Sequence, residues 1–283
     1  MNPLVGIGAV LLGLLVVASL AAPWLAPADP NQIDPAHTNA PIGAVVTRPG
    51  QPAVTGTAWL GTDGFGRDVA SRLLYGGRVS LAVGVTVAGV GLVFGSFIGL
   101  ASGSLRRVDA VLMRVMDGVM AIPGILLALA LVAVWHASLW SVVAAIAIPE
   151  IPRVARLVRS LVLSIREEPY IEAAVSAGTR TMALMVRHVL PNTLAPLLVQ
   201  GAYICASAML VEASLSFLGV GLSTEIPTWG NMMAEGRQDF YAVPHKVLLP
   251  GACLALTVFA VNMLADGLRD VLDPSASRRG ERA

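Results

Sequence analysis

The sequence predicts an all-α integral membrane protein of six transmembrane helices. Two observations carry that expectation and a third orients it. Of the 283 residues, 55% are hydrophobic and only 13% charged. Mean hydropathy is +0.73, and a water-soluble domain of this length needs nearer a quarter of its residues charged. Six separate apolar stretches are long enough to span a bilayer, and the arginines sort to alternate ends of them. The formal net charge of +1 marks no nucleic-acid surface, because the basic residues are dispersed between apolar blocks. Cys205 and Cys253 sit inside apolar stretches and read as small buried thiols, with no disulfide-framework or metal-ligand spacing.

A helix needs about 20 predominantly apolar residues to cross the hydrocarbon core. The expected spans are Leu4–Leu25, Val79–Ser102, Val111–Val134, Leu139–Leu161, Thr193–Val220 and Val247–Leu268. The small residues near Ala18 and Ala21 would suit a cleaved signal peptide. No basic residue precedes this stretch, however, and its apolar run is long for a signal core, so a retained helix is expected. Arg106, Arg107 and Arg114 flank the second and third spans, and Arg153, Arg156, Arg159, Arg166, Arg180 and Arg187 cluster between the fourth and fifth. Arg269, Arg278, Arg279 and Arg282 follow the sixth. The positive-inside bias puts all three regions, and both termini, in the cytoplasm. Residues 1–78 then form an N-terminal helix and an extracytoplasmic segment, 79–273 a five-helix core, and 274–283 a cytoplasmic tail.

Between the first two spans, Pro23, Pro27, Pro30, Pro35, Pro41, Pro49 and Pro52 predict an extended, irregular connector. Thr62 or Asp63 is expected to cap a short amphipathic surface helix reaching about Tyr75. In the second span Gly91, Gly95, Gly99 and Gly103 recur every four residues and stack into one smooth groove for a neighbouring helix. Whether that neighbour lies in the same subunit stays open. Pro123 is expected to kink span three, and Pro149 and Pro152 span four. Asp117 and Glu150 read first as partners of Arg114 and Arg153 near the cytoplasmic edge, and second as lining of a pathway. Glu212 reads first as a structural hydrogen-bonding acid and second as part of an outer gate.

Between spans four and five the pattern is helix, break, helix. Ala173, Ala174 and Ala177 give a short helix a small-residue face suited to close docking. Gly178 suits a left-handed C-terminal position, Thr179 is expected to cap the second helix, and Met182, Met185, Val186 and Val189 have helical spacing. Pro191 is expected to end that second helix, with Asn192 or Thr193 opening span five.

These residues resemble a known family. Glu172-Ala173-Ala174, Gly178 and Leu190-Pro191 are similar to the loop signature of permease subunits in binding-protein-dependent ABC importers. His188 in Arg187-His188-Val189-Leu190-Pro191-Asn192 resembles the dipeptide/oligopeptide/nickel branch, second-permease type. The runs Leu60–Asp68 with Ser71, Arg72, Tyr75, Gly76 and Arg78, and Glu212–Gly219 with Pro227–Met232, are similar to blocks of that branch. The resemblance implies a type I ABC importer permease fold with a cytoplasmic coupling helix. Glu172, Ala173, Ala174 and Gly178 would dock on an ATPase, with Leu190 and Pro191 completing the loop. It also implies a second permease, two ATP-binding subunits and an extracytoplasmic binding protein as partners, in a bacterial or archaeal inner membrane. Peptides are the favoured solute, with nickel chelates and glutathione within the same branch.

The chain has no cofactor of its own on this reading, and ATP is bound by partners. A phosphate-binding loop ends in Gly-Lys-Ser/Thr, whereas the single lysine, Lys246, lies in Pro244-His245-Lys246-Val247. A polytopic membrane enzyme is disfavoured because His37, His136, His188 and His245 are far apart and fall in no hydrolase or zinc motif. An ATP-independent carrier would place internal repeats or several ionisable groups at the midplane, and none is evident. Trp229 reads as part of a short outer helix or as a membrane-interface anchor.

Overall fold

The structure, a computed structural model, describes residues 3–48, 51–135 and 138–272. Pro49, His136 and the tail 274–283 with Arg278, Arg279 and Arg282 lie outside the described residues. The described residues are mostly helical. Helix α1 (Pro3–Leu20) leads into a short α2 (Ala22–Leu25), and a β-hairpin of β1 (Ala44–Arg48) and β2 (Gln51–Ala58) precedes the long α3 (Val69–Ser104). Next come α4 (Arg106–Met120), α5 (Gly124–Trp135), α6 (Leu139–Arg166), α7 (Pro169–Ser176) and α8 (Thr181–Leu184). A π turn (Met185–Val189) joins α8 to α9 (Leu190–Phe217), and α10 (Trp229–Gly236) and α11 (His245–Leu272) complete the chain.

Each expected span falls largely on helix. Among the described residues three helices are long and apolar enough to cross a membrane: Val69–Ser104, Thr181–Phe217 and His245–Asp270. The third expected span is broken. Its halves α4 and α5 meet at 86°, because Pro123 supplies no N–H and its ring pushes Ile122 out of the helical region. Helix α6 is long enough but carries Glu150, Arg153, Arg156 and Arg159, and among the described residues α1 contributes the shorter apolar helix Val5–Leu20. Through Pro149 and Pro152 α6 runs without interruption.

The glycine ladder meets its neighbour inside the same chain. A Cβ added at Gly95 would lie 2.4 Å from Val154 Cβ, at Gly99 2.6 Å from Val158 Cβ, and at Gly103 2.6 Å from Val162 Cβ. Both ladders advance by four residues in the same direction, so α3 and α6 run parallel with their backbones in near contact. Helix α9 packs antiparallel on α3, with Cys205 and Met209 over Gly84 and Leu92 over Gly201. Helix α1 lies along α11, where Gly8 meets Met263 and Val5 fits against Gly267.

The stretch before α3 differs from its expectation. The β-branched runs Val45-Val46-Thr47 and Val54-Thr55 pair in an antiparallel hairpin (Val45 opposite Thr57, Thr47 opposite Thr55), despite the surrounding prolines. Residues 62–68 are a compact turn rather than a helix. The cap of α3 is Asp68, whose Oδ2 accepts from the Ser71 N–H at 2.7 Å, not Thr62 or Asp63. Asp63 instead folds the turn, its Oδ1 accepting from the Phe65 and Arg67 N–H groups at 2.8 and 2.9 Å.

Candidate functional site

The loop after α6 is a spur held by a few anchors. Arg166 at the end of α6 donates to the Gly103 carbonyl at 2.8 Å, which ties this end of the helix to the end of α3. Glu168 is the extended N-cap residue of α7 and Pro169 its first residue, where a missing N–H costs nothing. Ile171 is 2% exposed and enters the main core, with Ala174 packed beside it. Glu172, Ala173, Val175 and Ser176 are left on the exposed face, Glu172 in the first helical turn where an acid is favoured.

The stop of α7 has a defined geometry. Gly178 has φ +83°, the Gly178 N–H bonds the Val175 carbonyl at 2.9 Å, and the Thr179 N–H bonds the Ala174 carbonyl at 3.1 Å. This is a Schellman stop, and it places Gly178 as expected. Thr179 caps nothing: the N-cap residue of α8 is Arg180, which offers no side-chain bond.

The second half of the loop also departs from its expectation. Pro191 does not end a helix; α8, the π turn and α9 form one continuous helix, Thr181–Phe217. The π turn resolves the conflict that a proline creates in a helix interior, by widening the ladder one turn before the missing N–H. Asn192 supplies a substitute donor, its Nδ2 reaching the His188 carbonyl at 2.6 Å. Leu184, Met185 and Val189 are buried and pin this half, while Met182 and Val186 stay exposed.

Among the expected docking residues, Glu172, Ala173 and Gly178 share the exposed spur. Ala174 is turned partly toward the core, and Leu190 and Pro191 belong to the root of α9. Ile171 was not anticipated as an anchor, although its i, i+3 spacing with Ala174 is the available signal. Nor was the closure of the loop by Tyr170 on His188, ring centroids 6.4 Å apart.

Along α6 the acids are paired, in part as expected. Glu150 accepts from Arg153 Nη1 at 2.7 Å. Asp117 pairs with Arg156 at 2.8 Å rather than with Arg114, and Asp109 takes a two-point bond from Arg159 at 2.5 and 2.7 Å. The last two ties cross from α4 to α6. Glu212 is wholly buried in α9 and accepts from Ser216 Oγ at 2.9 Å, which fits its structural reading.

At the opposite end, charged groups link the 62–72 turn to α10. Arg67 donates to Asp63 Oδ2 at 2.6 Å and Glu235 Oε2 at 2.5 Å, and Arg72 reaches the same Glu235 oxygen at 3.4 Å. Burial holds the Glu235 carboxyl above the usual carboxylate range, against the opposing pull of both arginines. Trp229 is 2% exposed and donates from Nε1 to the Leu73 carbonyl at 3.0 Å. It opens the short helix α10, as expected, but is a core residue joining α10 to α3 rather than an interface anchor. Sequence reasoning missed this network, whose one local trace is the four-residue spacing of Asp63 and Arg67.

The chain is similar to known proteins along most of its length. The profile of the binding-protein-dependent transport system inner membrane component matches residues 91–278. That of the N-terminal TM domain of oligopeptide transport permease C matches residues 1–41. A probable peptide ABC transporter permease protein of Sinorhizobium fredii is 48% identical over 278 residues, 98% of this chain and 91% of that one. The dipeptide transport system permease protein DppC of Alkalihalophilus pseudofirmus is 44% identical, covering 76% of this chain and 71% of its own. The glutathione transport system permease protein GsiD of Pectobacterium atrosepticum is 42% identical, with 76% and 72% covered. Among solved structures, an inward-facing MetNI methionine ABC transporter superposes with TM-score 0.58 at 18% identity, covering 71% of this chain and 96% of that one.

Proposed function

The chain belongs to the family of binding-protein-dependent transport system inner membrane components, and on that premise we infer that it is the peptide-type permease subunit of an ABC importer. It is a mostly helical membrane protein. We read residues 1–78 as an N-terminal helix with an outer segment, 79–273 as the permease core and 274–283 as a tail. The junction of α3 and α4 with Arg106 and Arg107, the arginine-rich half of α6 and the end of α11 with Arg269 are assigned to the cytoplasm, and the hairpin and α10 to the outside.

The observation that carries the mechanism is the spur α7, exposed on one face and rooted by Ile171 on the other. It lies between α6 and the continuous helix containing α9, so a force on it reaches two long helices at once. We assign Glu172, Ala173, Ala174 and Gly178 to contact with an ATPase subunit, and Leu190 and Pro191 to the root that transmits the motion. The partners are then two ATP-binding subunits, a second permease and an extracytoplasmic binding protein, all acting in the bilayer. ATP is bound by the partners.

The resemblance to a glutathione permease supports a second reading within the same chemistry, since glutathione is itself a tripeptide.

The test is Gly178→Val in the reconstituted importer. A β-branched residue at φ +83° costs about 1–3 kcal/mol of local strain, enough to displace the end of α7. ATP hydrolysis is expected to persist while peptide uptake falls. Normal uptake per ATP hydrolysed would remove the spur from the coupling path.

A further inference from the structure

A cavity of about 530 Å³ opens at the hairpin end, between the 62–72 turn, α10 and the start of α11. Its walls hold two cations that are almost completely withdrawn from solvent, of which Arg72 has only long contacts. The Arg72 side chain is 1% exposed, yet its contacts are long: 3.3 Å to the Thr224 carbonyl, 3.4 Å to the Pro30 carbonyl and to Glu235, and 3.8 Å to Asp63. The Lys246 side chain is 4% exposed, touches the Asn39 amide oxygen, and lies 3.8 Å from Asp239. Arg67 close by shows full pairing, with contacts of 2.6 and 2.5 Å.

A guanidinium has five N–H donors and an ammonium three. A buried charge whose partners stand as far off as those of Arg72 keeps much of its desolvation cost. By count, each cation lines the cavity with N–H donors beyond the contacts it already makes. The opposite need is present on the same wall. Glu235 gives its Oε2 to both arginines, while its buried Oε1 has no hydrogen-bond partner. Asp239 adds a second acid, and Phe65, Val69 and Met232 supply an apolar side.

We propose that this cavity binds a short zwitterionic solute, its carboxylate held by Arg72 and Lys246 and its ammonium by Glu235 and Asp239. The volume lies within the range of sites that enclose small molecules, about 300–1,000 Å³, and exceeds the space that one protruding side chain would fill. The choice of a peptide as that zwitterion rests on the importer reading above. The cavity is then a peptide site on the permease itself, on the side assigned to the outside.

The experiment uses the purified importer in nanodiscs without its binding protein, and follows the binding of Ala-Ala by saturation-transfer NMR and titration. Ala-Ala amide, which lacks the carboxylate, and N-acetyl-Ala-Ala, which lacks the ammonium, are each expected to bind roughly tenfold or more weakly, since a hydrogen bond to a charged group is worth that much. Lys246→Gln is expected to lose affinity on the same scale. Gly64→Leu tests the place without touching a charge. A Cβ there meets Asp239 Oδ2 at 3.7 Å and Asn39 Oδ1 at 4.0 Å, so its side chain grows into the cavity from an unstrained backbone. It is expected to abolish Ala-Ala binding with the melting temperature unchanged. Absence of Ala-Ala binding in the millimolar range, equal binding of acid and amide, or binding that Gly64→Leu leaves unaltered would each overturn the proposal. Uptake from the loaded binding protein, measured on the same preparation, separates the two readings. Its loss counts against the importer assignment, and its presence without free-peptide binding counts against the cavity alone.

Discussion

At the scale of single residues, backbone geometry makes the sharpest demand at Gly66. Its φ is +78°, and a Cβ would lie 1.9 Å from the Asp34 carbonyl oxygen. No rotamer relieves such a clash, because both sides are backbone. Gly66→Ala is expected to destabilise the outer turn by about 3 kcal/mol or more, read as a lowered melting temperature of the detergent-solubilised protein. Gly64→Ala, two residues away, should stay within about 0.5 kcal/mol of wild type, because nothing stands closer than 3.7 Å to its Cβ. Equal effects would mean that the turn is not built as described. Legibility at this scale followed the range of the interaction. Gly178 was readable because a glycine after an alanine-rich helical run has a local meaning. Trp229 and Ile171 were not: their burial depends on α3 and on the main core, which no neighbouring residue announces. The pairing of Asp117 with Arg156 failed for the same reason, since the nearer Arg114 lies on its own helix and the true partner 39 positions on.

At the scale of elements, the glycine ladder makes the contact of α3 with α6 intolerant. At Gly99 an added Cβ would stand 2.6 Å from both the Ala155 carbonyl oxygen and Val158 Cβ. Gly99→Val is expected to cost about 1–3 kcal/mol or more through overpacking and to reduce the yield of folded protein on size exclusion. Gly89→Val, on an exposed position with nothing within 4 Å, is expected to express normally, and a matching loss there would assign the defect to glycine loss in general. The apolar stretches were legible because hydropathy is additive along a helix. Three elements were not. The hairpin was hidden by proline density, although its β-branched residues carry a strand signal. The 86° bend was legible as a kink at Pro123 but not in size. The π turn could not be read at all, since it is a compromise between Pro191 and the helix on either side.

For the whole molecule, the expected result is an assembly. Gently solubilised with a tag, the chain should bring down a second permease and ATP-binding subunits, identified by mass spectrometry. Recovery alone, under conditions that keep other membrane complexes intact, would favour a carrier or channel. The two ends of the molecule were legible to different degrees. The spur was visible through its motif, whereas the charged cavity was assembled from residues 39, 63, 72, 235 and 246, which only the fold brings together. The parallel seam of α3 and α6 has a mechanical consequence. Two rods whose backbones touch at Gly95, Gly99 and Gly103 behave as one thicker strut, without backlash between them. If α7 is the coupling element proposed above, a stroke delivered there would reach the turn at 61–68 undiminished, but also unamplified, because a stiff strut has no gearing. On that reading, compliance is left to the helix opposite, which carries the π turn at Met185–Val189.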